Sequence, residues 1–178
     1  MNKQQKQNMI LVIVTLLLLF SPALYHTFST KAQEREDRTT AFYTSFISIV
    51  QSWDQLLSQT DDQNPEAIAM FEAYKYLLFV NDRLQYLVDD FPRMEKDLAV
   101  LKNDFFLLKY NFAILVSDRI ENRPGFNEQA LRMIKQQVRL FLDQAPENYD
   151  NSNAFRKELI QAAEHISQLS NIDFSAKP

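Results

Sequence analysis

The chain has 178 residues, a length that fits one domain, with 46% apolar and 24% charged residues. It holds a single glycine, Gly125, and no cysteine. That excludes phosphate-cradling Walker and dinucleotide loops, disulfides, thiolate metal sites and a cysteine nucleophile. Lys and Arg total 19 against 23 Asp and Glu, for a net charge of −4, and without Lys3 and Lys6 the remainder is more acidic still. An acidic body argues against nucleic acid and against a face lying flat on anionic lipid, since both use clustered cations.

The first element is an uncharged run. Met9 to Phe20 is uncharged and apolar but for Thr15, and the next charge after it is Lys31. Residues 9–28 are just long enough to span a hydrocarbon core at about 1.5 Å per residue. The shorter apolar part, Met9 to Phe20, also suits a secretory signal, with small residues at Ser21 and Ala23 and a weaker site at Thr30-Lys31-Ala32. Tyr25, His26 and Phe28 favour a retained anchor, because amphipathic rings settle at the membrane interface. In either case Lys3 and Lys6 stay in the cytoplasm and the rest is exported. The expected division is a cytoplasmic N-terminus over 1–8, a transmembrane anchor or signal peptide over 9–28, an extracytoplasmic bundle over 29–171 and a frayed tail over 172–178. The expected location is the inner or plasma membrane, with the bundle in the periplasm or outside.

Beyond Ala32, apolar residues recur three and four apart, the period of a helix buried on one face. The first such stretch carries Thr39, Phe42, Phe46, Ile49, Trp53 and Leu56, and ends near Ser58. Thr60 to Pro65 is a break, with Asn64 as the expected cap and Pro65 as the first helical residue. The second helix has the seam Met70, Tyr74, Leu77, Asn81, Leu84, Val88 and Phe91, with Asn81 as a polar register residue. The third has Met94, Leu98, Leu101, Phe105, Leu108, Phe112 and Leu115, and stops near Asn122, before Pro124-Gly125. Pro92 separates these two as a turn. A hairpin centred there sets 77–80 opposite 104–107, where both helices are most apolar.

The fourth helix enters through Asn127 as its cap, with Phe126 stapling to Leu131, and its seam continues through Ile134, Val138 and Phe141. The fifth starts at Ser152 and carries Phe155, Leu159, Ala162, Ile166 and Leu169. The fold class is therefore all-α: an N-terminal span or signal helix, then an elongated antiparallel bundle of four to five helices.

Catalytic chemistry is hard to place in this chain. His26 and His165 are its only histidines, and neither belongs to a Glu-x-x-His metal motif. Runs such as Asp61-Asp62 and Asp89-Asp90 fall at helix junctions, where Asp caps and turns. A buried contact between Asp104 and Lys75 or Lys109 is a further structural expectation. No enzymatic activity, cofactor or metal is expected.

The aromatic residues say more. Tyr76, Phe79 and Tyr86 on the second helix, and Phe106 and Tyr110 on the third, lie off the seams yet are large. Either they pack under the fourth and fifth helices, or they form an exposed face that docks a partner. The expected role is a scaffold, adaptor or accessory subunit of an envelope or membrane complex. The alternative is a secreted or periplasmic bundle holding a small apolar ligand between its helices.

Overall fold

The computed structural model describes residues 3–62, 65–91, 94–124, 126–170, 172 and 174, with backbone alone for 3–8 and 10–27. It has five helices: α1 (Lys3–Gln59), α2 (Ala67–Asp90), α3 (Glu95–Ile120), α4 (Glu128–Gln144) and α5 (Asn153–Ser170). Among the described residues there is no strand, and no helix is long and apolar enough to cross a membrane. The predicted span over 9–28 falls almost wholly on side chains outside the described ones. So do the predicted cap Asn64, the turn residue Pro92 and most of the predicted frayed tail.

The chain forms two compact units, Met1–Arg38 and Thr39–Pro178. In the first the backbone from Lys3 is helical, residues 28–38 are exposed, and Gln33 Nε2 donates to Asp37 Oδ1 at 3.0 Å.

The second unit is a helical bundle. Round it, residues 39–59 of α1 lie beside α2, where Phe42 stacks on Tyr86 with ring centroids 5.3 Å apart. The order continues through α3, α5 and α4, and α4 returns to α1 through Arg139 and Asp54 at 3.4 Å. At its centre Phe46, Phe105 and Phe141 meet edge to face, with centroids 5.9–6.1 Å apart. This is the arrangement ring quadrupoles favour.

The seams of α3, α4 and α5 are buried at every position expected from their spacing. Those of α1 and α2 are turned by one residue at every second position. In α1 the inward residues are Thr39, Tyr43, Phe46, Val50, Trp53 and Leu57, while Phe42, Ile49 and Leu56 only border the core. In α2 they are Met70, Ala73, Leu77, Val80, Leu84 and Leu87, leaving Tyr74, Asn81 and Val88 half-buried. Both helices carry adjacent apolar residues, so their apolar arcs are wide. Which member of each pair turns inward is then set by the neighbouring helices.

The hairpin between α2 and α3 forms as expected. Asn81 Nδ2 donates to the carbonyls of Leu77 (2.9 Å) and Phe105 (3.4 Å), so it ties the register from the rim of the core and not from its middle. Lys102 Nζ donates to Gln85 Oε1 nearer the turn, and Arg119 Nε donates to the Pro65 carbonyl at the far end. This last contact corrects the expected start of α2. Pro65 is buried outside the helix, and extended Glu66 (φ −67°, ψ 133°) takes the cap position without a side-chain bond.

The other helix ends follow the sequence. Asn127 Oδ1 accepts from Ala130 N at 3.0 Å, and Ser152 Oγ accepts from Phe155 N at 3.0 Å. Asn122 closes α3 at φ 50°, with Arg123 N bonded to Asp118 O and Asn122 N to Arg119 O. Asparagine thus supplies the left-handed residue that glycine usually provides at this position. At the tail, Phe174 is buried and Ile172 packs on the core, so the expected fraying does not hold for these two residues.

Candidate docking face

Helices α4 and α5 segregate apolar from polar residues sharply; α2 and α3 do not. Their sequences are apolar at positions on every side, so burying one stripe leaves others in water. Eleven large hydrophobic side chains among the described residues of the second unit are exposed, and all lie on α2 or α3. Among the described residues none is on α4, α5 or residues 39–59 of α1.

Four of the five aromatics singled out in the sequence are in this set: Phe79 (51% exposed), Tyr86 (49%), Phe106 (41%) and Tyr110 (55%). They do not pack under α4 and α5. Tyr76 is half-buried against the core. The five do not gather at one point. Tyr76 and Phe79 meet edge to face at 6.3 Å, and Tyr86 stacks on Phe42, so these three belong to the side of α2 that faces α1. Phe79 and Tyr86 line an open groove of about 480 Å³ there, with Ile49, Asp82 and Arg83. On α3, Phe106 and Tyr110 pair edge to face at 4.8 Å, and Lys109 Nζ caps both rings at 4.2 and 4.7 Å. The ring quadrupoles attract the ammonium, so Lys109 helps to hold the pair in place.

Sequence reasoning missed the rest of the exposed set. Ile68, Phe71 and Leu78 on α2, and Val100, Leu107, Ile114 and Ile120 on α3, are exposed as well. Their off-seam positions carried the same signal as the aromatics. Phe71, Ala113, Val116 and Ile120 line a second open groove of about 350 Å³ between α2 and α3. At its edge the Ser117 hydroxyl, and then Arg123, hold the Glu121 carboxyl below the usual carboxylate range.

The polar residues considered as chemistry have structural partners. Asp104 is buried and accepts from the Ser167 hydroxyl of α5, while Lys75 pairs with Glu72 at 2.6 Å and Lys109 lies over the two rings. The expected Lys–Asp contact therefore does not form. His165 Nδ1 lies 2.8 Å from Gln137 Oε1, which can only accept, so Nδ1 carries the proton. Among the described residues no three His, Cys, Asp or Glu gather as a metal site. No family model matches the chain, and no curated protein or solved structure matches it.

Proposed function

We propose that this protein is a non-enzymatic scaffold, adaptor or accessory subunit of a membrane or envelope complex, and that it docks its partner through the outer faces of α2 and α3. The uncharged run from Met9 to Phe28 would anchor it, with Lys3 and Lys6 in the cytoplasm and the bundle outside. The observation that carries the docking reading is the one-sided distribution of exposed apolar residues. Large contiguous apolar surface on a folded domain marks an interaction site, and aromatic residues are enriched where partners bind.

Neighbouring phenylalanines on α3 provide the test, since Phe105 is fully buried and Phe106 is exposed. Phe105→Ala should cost roughly 3–5 kcal/mol of folding stability. Phe106→Ala and Phe79→Ala should leave the melting transition within about 0.5 kcal/mol of the parent and reduce the partner cross-linked to the chain in membranes. Unchanged cross-linking, or a steep loss of stability in both surface variants, would overturn the reading.

A further inference from the structure

Residues 39–59 of α1 carry two apolar seams. The buried one runs through Tyr43, Phe46, Val50, Trp53 and Leu57. The other runs through Phe42, Phe46, Ile49, Trp53 and Leu56, and Phe42, Ile49 and Leu56 are half-buried at the rim of the core. Phe46 and Trp53 belong to both. The remaining pairs set Phe42 against Tyr43, Ile49 against Val50 and Leu56 against Leu57, so the outer seam is at least as apolar as the inner one at each position. Apolar burial therefore does not separate the two. What the inner seam adds is polar. The Tyr43 hydroxyl donates to the Pro146 carbonyl, and Arg139 Nη2 of α4 donates to Ser58 Oγ at 2.9 Å and Asp54 Oδ2 at 3.4 Å. The same position leaves Asp54 Oδ1 buried with no hydrogen-bond partner among the described residues, a cost the turned helix would not bear. Helix α2 shows the same doubling without the same freedom. Its outer seam contains Asn81, bonded to the Phe105 carbonyl, and sets bulky Tyr74 against buried Ala73.

Three of the five seam positions differ by one residue, about 100° each, so a turn of roughly 60° about the axis of α1 exchanges the seams. The turn carries Asp54 toward water. It takes Phe42 off the Tyr86 ring and Ile49 out of the wall of the groove beside α2. The smaller Ser45 and Ser52, on the same flank of α1, take their places. We propose that residues 39–59 of α1 have two packed positions related by this turn, and that the second opens the groove at Phe79 and Tyr86 to the partner. A gap set by a few hydrogen bonds, with burial balanced, is what a two-position element requires. The control of the groove rests on the docking reading above; the turn itself does not.

The chain has no cysteine of its own, so single cysteines at neighbouring positions read the turn. Full-length chains with Ile49→Cys or Val50→Cys are labelled with a maleimide in native membrane vesicles. The polar ties are either present or removed by Tyr43→Phe together with Arg139→Ala. Removing them should raise the labelling rate at Val50→Cys several-fold and lower it at Ile49→Cys. Opposite changes mark a rotation, because loosened packing raises both rates. Adding Ile49→Gln to the tie-free Val50→Cys chain should return its rate to that of the chain with ties, since an amide is costly to bury. Both rates rising, neither changing, or no reversal by Ile49→Gln would overturn the two positions. The docking reading would stand in that case, because no partner takes part in the labelling. With the rotation seen, the partner cross-linked through Asp82→Cys in the groove should increase in the tie-free chain. An unchanged yield would overturn the control of the groove, and no partner in either chain would overturn the docking reading with it.

Discussion

The Tyr43 hydroxyl donates to the Pro146 carbonyl at 2.5 Å in a buried setting, with the Phe155 ring edge-on at 5.0 Å. Burial, and secondarily the nearby Glu158 carboxylate, push its pKa well above the usual phenol value, because both disfavour the phenolate. A pKa raised by folding gives stability that is fully present below the unfolded value of about 10 and is lost as pH rises from there toward the folded value. Tyr43→Phe removes the hydrogen bond and the titration together. It should cost about 1 kcal/mol at neutral pH, measured by urea unfolding. The gap between parent and variant should narrow above pH 10, because only the parent loses this contribution. A gap independent of pH up to 11 would show that Tyr43 is not held neutral by the fold. Tyr43 was invisible as a core residue because Phe42, beside it, fits the heptad spacing equally well.

At the scale of elements, the helix ends illustrate how a glycine-poor chain makes its turns. Asn127 and Ser152 accept from backbone N–H groups that the first turn leaves unpaired, and Asn122 takes the left-handed position after α3. Asn127→Ala should destabilise the bundle by about 1 kcal/mol, read as a shift in denaturant midpoint at constant slope. A midpoint unchanged within error would mean that water replaces this cap without loss. The caps of α4 and α5 were legible because a polar cap stands directly before an amphipathic run. The start of α2 was not: its entry is shaped by the distant Arg119, whose guanidinium holds the Pro65 carbonyl, and no local pattern encodes that contact.

Across the second unit, the core draws on every helix and also on the chain beyond α5. Phe174 is 1% exposed, although the sequence around it has no periodicity. Phe174→Ala should cost roughly 3–5 kcal/mol, a large part of the 5–15 kcal/mol available to a domain, and differential scanning calorimetry of the full chain should show the lowered transition. A transition at the parent temperature would mean that the ring leaves the core without consequence. The same tail read as frayed because one aromatic outside a helix gives no repeating signal.

The sequence by itself determined the helical class, a bundle of four to five helices, the pairing of α2 and α3 as a hairpin and the full seams of α3, α4 and α5. In α4 and α5 one apolar face leaves a single inward orientation; α3 is apolar on every side, and its heptad spacing alone marked the buried row. It also pointed to Phe79, Tyr86, Phe106 and Tyr110 as residues outside the seam pattern. Only the tertiary structure decided whether those rings are covered, because exposure depends on where α4 and α5 pack, and these lie against α1 and α3. It decided, too, which member of each adjacent apolar pair in α1 and α2 faces inward. A wide apolar arc satisfies burial at more than one rotation, and only contact with neighbours such as Phe105 and Phe141 selects among them.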